Sequence, residues 1–317
     1  MTLDIVTLRD SASGAEAKLL PGLGMNVYSF RPVFNGQPTE VFWSHPDFAS
    51  GTIKPTSSGN PILFPYAGRI RGGLFRFQGK EYAVPVADGR GNGIHGFVVS
   101  RPWRVVEQTG DRIVGRWQAS REAPELLEHW PTDFGIQATY RVSGSALLGE
   151  YFVENHSEKP LPFGFGTHPY FRVPFEAGGN ASECRITVPA ALNWELDNLL
   201  TTGRVLPAAG EVNLRNGRAI GETKLDNVLG QLTRRDGWVH TSVEDPAAKR
   251  RVEIRFDEAF STCVVFNPPH REAVCIEPYT AVPDPFSLAE HDIESHLTVL
   301  APGQSWRAKI EIEVQAM

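Results

Sequence analysis

Short runs in which apolar and polar residues alternate, or in which β-branched and aromatic residues crowd together, recur along the whole chain. They are Asp4–Leu8, Gly73–Phe77, Trp103–Glu107, Arg112–Gln118, Ile136–Val142, Leu147–Glu154, Arg185–Val188, Arg251–Phe256, Thr262–Asn267 and Ala308–Val314. The last is the clearest. Ile310, Ile312 and Val314 alternate with Lys309, Glu311 and Glu313, the period of two of a strand with one buried face. Helical spacing is rare. Pro124–Trp130 predicts two turns and Ser287–Leu297 three, with Ser287 as N-cap and Glu290 at capping-box distance. Many short strands, frequent turns and few helices predict an all-β chain, either a sandwich or a barrel.

Composition narrows the picture. The 30 glycines and 24 prolines are spread throughout and gather in no linker. No composition shift, internal repeat or low-complexity tract marks a boundary. A length of 317 residues would ordinarily suggest two domains, but large β-sandwiches run this long as one unit, so residues 1–317 are expected to form a single domain. A chain of this size buries enough apolar surface to need no staples. With 41% hydrophobic and 21% charged residues it is ordinary for a globular protein. The net charge of −6 gives no support for binding nucleic acid or an anionic membrane through bulk charge, and leaves open a local basic pocket. The three cysteines, Cys184, Cys263 and Cys275, are far from any CxxC spacing, which argues against a disulfide framework and a zinc site. The start lacks a basic region followed by an apolar stretch, and no apolar run approaches the roughly 20 residues that span a bilayer. The expected compartment is the cytoplasm.

Four segments set unusual polar residues among apolar or aromatic neighbours. In Asn60–Gly73 an apolar run ends in Gly68-Arg69, where a guanidinium either forks onto hydroxyls or a carboxylate or forms a surface ion pair. In Gly91–Phe97, His95 lies between residues that let the backbone approach a ligand or turn tightly. In Phe163–Phe171, His168 sits among aromatics that suit the apolar faces of a sugar ring, or is a core histidine bonded to backbone. In Val274–Tyr279, Glu277 ends an apolar strand, where a carboxylate must find a partner or shift its pKa, as a general base or a structural ion pair. A fifth segment, Lys224–Leu229, offers Asp226, a hydroxyl ligand or the start of a turn.

Taken together these segments resemble the aldose 1-epimerase, or galactose mutarotase-like, family from about residue 17 to the C-terminus. The matches are Arg69-Ile70, His95-Gly96, His168-Pro-Tyr-Phe171, Asp226 before apolar residues, and Glu277-Pro followed by Asp284-Pro285, in one order with Arg69 and His95 26 positions apart. The resemblance implies a large antiparallel β-supersandwich with a concave sugar-binding face. It implies Glu277 as catalytic base, His168 as acid, and Arg69, His95 and Asp226 as substrate-holding residues. One position departs: well-characterised galactose mutarotases have Asn where this chain has Gly68, so galactose specificity does not carry over with the chemistry.

Anomer exchange opens and recloses a cyclic hemiacetal. It needs a base for the C1 hydroxyl and an acid for the ring oxygen, and no cofactor, metal or covalent intermediate is expected. A carboxylate and an imidazolium, far enough apart to flank a pyranose ring, are the expected pair. The expected partner is a small-molecule sugar, with no nucleic acid and no membrane, and the chain is a monomer or homodimer. A hexose-6-phosphate 1-epimerase would need a cationic pocket, for which Arg69, Arg71, Arg76, Arg90 and Arg101 are candidates. A non-catalytic sugar-binding protein would bind without turnover. A glycosidase would need a second carboxylate across the bond.

Overall fold

The computed structural model describes residues 3–34 and 36–317. It is all-β with, among the described residues, two short α-helices. Ten strands form the larger antiparallel sheet. From edge to edge it runs Arg104–Gln108, Arg112–Gln118, Gly135–Ser143, Ala146–Glu154, Ser305–Ala316, Arg250–Phe256, Trp238–Asp245, Arg185–Thr187 and Arg218–Ala219, and Arg234–Arg235 pairs with Trp238–Asp245. Eight strands form the second. Its order is Leu200–Pro207, Ala190–Asp197, Asp226–Leu232, Thr262–Phe266, Ala273–Tyr279, Gly166–Thr167 and Ile62–Leu63, with Tyr170–Arg172 also paired to Ala273–Tyr279. The alternating runs of the sequence become strands at nearly the expected bounds, and Arg112–Gln118 matches at both ends.

The two sheets differ in what their strands bury. Ser305–Ala316 buries Ala308, Ile310, Ile312 and Val314 and turns the intervening residues outward, as a one-sided strand does. Ala273–Tyr279 is buried at every position. Its Val274 and Ile276 enter the large apolar core with Tyr140, Tyr151, Phe165 and Phe260. Its odd-numbered residues, Ala273 to Tyr279, face the other way. Thr262–Phe266 and Asp226–Leu232 divide in the same manner. Cys263, Val265 and Leu229 join the core, while Val264 and Val228 pack with Tyr279 in a second cluster. The centre of the second sheet therefore has one face in the large core and the other packed around a smaller cluster that includes Tyr279. Each large side chain fully buried in the core contributes about 1.5–3 kcal/mol relative to exposure.

Both helix expectations are corrected. The second α-helix is Pro285–Glu290, so Ser287 lies inside it and is not its N-cap. Proline at the first helical position has its φ preset and needs no donor there, so the helix starts earlier than the capping pattern suggested. It ends when Asp292 turns to φ 56° and the Ile293 amide donates to the Leu288 carbonyl. Pro124–Glu128 is a 3₁₀ turn that follows the four-residue helix Ala119–Glu122.

Backbones approach closely at Gly96, φ 71°, where an added Cβ would meet the Phe64 carbonyl oxygen at 2.2 Å. The Phe97 amide donates to that same oxygen, so the two segments are locked together. Gly96→Ala is expected to destabilise the protein by at least about 2 kcal/mol in urea unfolding, since both the space and the backbone conformation exclude a side chain. A loss within experimental error would show that this approach is not fixed.

Candidate active site

The face of the second sheet opposite the large core holds its polar residues through strand register. Gly166 pairs with Tyr279 and Tyr170 with Cys275, so His168 stands opposite Glu277. His168 Nε2 lies 3.4 Å from Glu277 Oε1, and both side chains are almost entirely buried. Tyr279 follows Glu277 by two residues on the same face, and its hydroxyl donates to Glu277 Oε2 at 2.6 Å. The His168 ring stacks on Tyr170 at 4.8 Å and meets His95 edge-on at 5.5 Å.

Arg69 and His95 come from a short hairpin-like pair outside the sheet. Arg69–Ile70 pairs with Gly93–Ile94, and the His95 amide donates to the Gly68 carbonyl. His95 itself has φ 62°, a left-handed conformation uncommon for a side chain-bearing residue. Arg69 Nε donates to Asp88 Oδ2 at 3.0 Å. The Asp88 side chain is fully buried and also accepts from the backbone amides of Arg90 and Asn92 and from the Asn92 side chain. Burial works against its charge, but these donors outweigh it and hold the carboxyl below its ordinary range. With Nε engaged, the two terminal nitrogens of Arg69 are left for a ligand.

All five residues singled out from the sequence, Arg69, His95, His168, Asp226 and Glu277, line one cavity of about 230 Å³. Lys54, Tyr170, Val264 and Phe266 also line it. Arg69 is in an ion pair with Asp88 and also lines the cavity. Asp226 begins a strand and not a turn. The His168–Glu277 separation corrects the expectation of a pair set a ring's width apart.

Charge states are corrected as well. Burial pushes the Glu277 carboxyl well above its ordinary range. Asp226 adds to the shift, while the Tyr279 hydroxyl and Arg69 oppose it. Burial lowers the His168 imidazole to about 4, and Lys54 and Arg69 act in the same direction. Burial, then His168, Arg69 and Lys54, hold His95 well below 6.5. Burial raises Asp226 against the pull of Arg69 and Arg90. Burial thus works against charge on both members of the pair, where a carboxylate and an imidazolium were expected.

Sequence reasoning missed Lys54, Tyr170, Tyr279 and Asp88. Tyr170 and Tyr279 each follow a chosen residue by two, a spacing that puts side chains on one face of a strand. Lys54 and Asp88 lie in loops, and nothing in their local sequence marks them.

A family model described as aldose 1-epimerase matches residues 4–313. The chain belongs to the aldose 1-epimerase family. Human galactose mutarotase is 29% identical over 150 residues, 47% of this chain and 42% of that protein, so the match spans less than half of that relative. Uncharacterized protein YihR of Escherichia coli is 23% identical over 244 residues, 74% of this chain and 73% of its own length. Among solved structures, a galactose mutarotase-like protein from Clostridium acetobutylicum superposes with a TM-score of 0.87 at 24% identity, covering 100% of this chain and 99% of that one. The aldose epimerase homologue from C. elegans gives 0.81 at 17% identity, covering 99% of each chain. These likenesses establish a shared galactose mutarotase-like fold. No helix among the described residues of this epimerase-family chain is long and apolar enough to cross a membrane.

The Glu277 shift has a consequence for stability. A carboxyl whose folded-state pKa is raised contributes stability that is intact below the unfolded value of 4.5 and is lost as pH rises toward the folded value. Glu277→Gln removes that loss. It is expected to melt a few degrees above wild type at neutral pH, with the difference closing below pH 4.5. Thermal melts across pH check this, and a variant no more stable at neutral pH would show that the carboxyl is not held protonated.

Proposed function

We propose that the chain interconverts the α and β anomers of a free aldose, with Glu277 as base and His168 as acid. The observation that supports this most directly is the 3.4 Å between His168 Nε2 and Glu277 Oε1 at one cavity. The two oxygens that exchange protons, the C1 hydroxyl and the ring oxygen, are bonded to the same carbon. Their base and acid must therefore stand side by side. Glycosidase carboxyls, which serve two faces of a bond, stand about 5 Å or more apart.

In the proposed cycle the Glu277 carboxylate takes the O1 proton as the His168 imidazolium protonates O5. The C1–O5 bond breaks, the aldehyde turns about C1–C2, and the ring closes on its other face with the proton transfers reversed. Ring opening thus converts an ion pair into a neutral pair. Burial favours the neutral pair, so desolvation opposes the charged state with the cyclic sugar and favours the discharged state with the open chain. Arg69, fixed through Asp88, and His95 stabilise charge on the reacting oxygens, and Asp226 holds a hydroxyl. We assign the whole chain to this one unit, acting on a sugar in the cytoplasm.

The 6-phosphate alternative finds little support. Arg71, Arg76 and Arg101 pair with Asp284, Glu81 and Glu125, and Arg90 donates to Asn198. Of the five candidate arginines, Arg69 is the one at the cavity.

Polarimetry of freshly dissolved aldoses tests the reading. Glu277→Gln and His168→Asn are each expected to lower kcat by about 10²–10⁴-fold with KM changed only a few-fold. A near wild-type rate in Glu277→Gln would overturn the base assignment. The rate is also expected to be level through neutrality, with its acid limb nearer 4 than 6.5. An acid limb at 6.5 would mean that His168 titrates as a solvated imidazole.

A further inference from the structure

Beside the His168–Glu277 pair lies a third buried donor that the proposed proton transfers leave unused. Cys275 precedes Glu277 by two residues on the same face of Ala273–Tyr279, is a free thiol, and is fully buried. Its sulfur, an imidazole nitrogen of His168 and a carboxylate oxygen of Glu277 all lie within 4.8 Å of one another. The arrangement is hidden in the sequence. Two donors are i and i+2 of one strand, and the third arrives from the segment paired with it.

We propose that His168, Cys275 and Glu277 bind one thiophilic divalent cation of the Zn²⁺ class, on the buried side of the two residues that line the cavity and in competition with the sugar. The donor set is that of a zinc site: imidazole, thiolate and carboxylate. Its charges balance, since a thiolate and a carboxylate neutralise the ion in a buried place where an unpaired charge would be costly. The spacing is also suitable. Ligand bonds of about 2.0 Å at the tetrahedral angle put nitrogen and oxygen about 3.3 Å apart, and Nε2 and Oε1 stand at 3.4 Å with no hydrogen bond joining them. Cys275 Sγ lies within 4.8 Å of both, close enough to complete the set. Glu277 Oε2 is already fixed by the Tyr279 hydroxyl, which leaves Oε1 for the ion. His168 Nδ1, buried without a partner, lacks the supporting acceptor that dedicated metal sites provide. This marks the site as one of moderate affinity, where the ion inhibits and exchanges. On binding, the ion displaces the thiol proton and any proton on the carboxyl.

The binding claim stands on geometry alone, whereas the inhibition claim rests on the proposed anomerase reading, so two measurements separate them. Titration of the purified protein with Cd²⁺ is expected to give a sulfur-to-metal charge-transfer absorbance saturating at one ion per chain. Cys275→Ser should weaken that binding at least tenfold, and Cys184→Ser should leave it intact. In polarimetry, Zn²⁺ is expected to inhibit competitively with the sugar and reversibly on chelation. Cys275→Ser should keep the metal-free rate and lose at least tenfold in sensitivity, with Cys275→Ala as a second variant should the first fold poorly. A band absent from wild type, or unchanged in both Cys275 variants, would overturn the site. Equal inhibition of wild type and variants, or activation by Zn²⁺, would overturn its inhibitory role. Should no aldose anomerise, the Cd²⁺ titration still decides whether the ion binds.

Discussion

A carboxyl and an imidazole face each other across neighbouring strands, inside a sheet covered on both sides. The rest of the site is arranged around that burial. Glu277 and His168 are almost entirely buried, so desolvation and the few groups that reach them act on their charges: the Tyr279 hydroxyl, Asp226, Arg69 and Lys54. The strand Ala273–Tyr279 makes this possible because its core-facing residues anchor it while its other face remains available for polar side chains. A one-sided strand such as Ser305–Ala316 turns its polar residues outward and does not impose the same desolvation.

The support of Arg69 shows the same economy. A carboxylate that accepts hydrogen bonds from two backbone amides, a side-chain amide and a guanidinium is stable in burial because every donor is directed at it. Asp88 thereby ties its own loop to Arg69 in one network. A similar arrangement lies next door. Buried Asp284 accepts from the backbone and side chain of Arg71 and, through its own amide, donates to the Arg69 carbonyl. Arg69 is thus held at its guanidinium by Asp88 and at its backbone carbonyl by Asp284.

Much of the fold was legible because one-sided strands advertise themselves by alternation, as Ala146–Glu154 and Ser305–Ala316 do. Strands of the second sheet were harder to read. Burial on both faces erases the period of two in Ala273–Tyr279, and the mixed burial of Ala190–Asp197 and Asp226–Leu232 leaves no comparable signal there. The candidate residues were legible because polar side chains stood out among aromatics and glycines. Their separation and protonation were not, since both depend on cross-strand register and desolvation, which arise only once the chain has paired. Helix ends failed for a local reason: the Ser287–Glu290 spacing was outweighed by Pro285.

Gly68 adopts φ 71° against the ring of Pro283, and a Cβ there would lie 2.7 Å from the proline Cβ. Position 68 is where galactose mutarotases of the well-characterised kind carry asparagine. The left-handed backbone alone would tolerate an asparagine, but the rigid ring beside it would not. The two positions are therefore epistatic. An asparagine at 68 would need a smaller or displaced residue at 283, so the identity of one side chain at this pocket is set by the other.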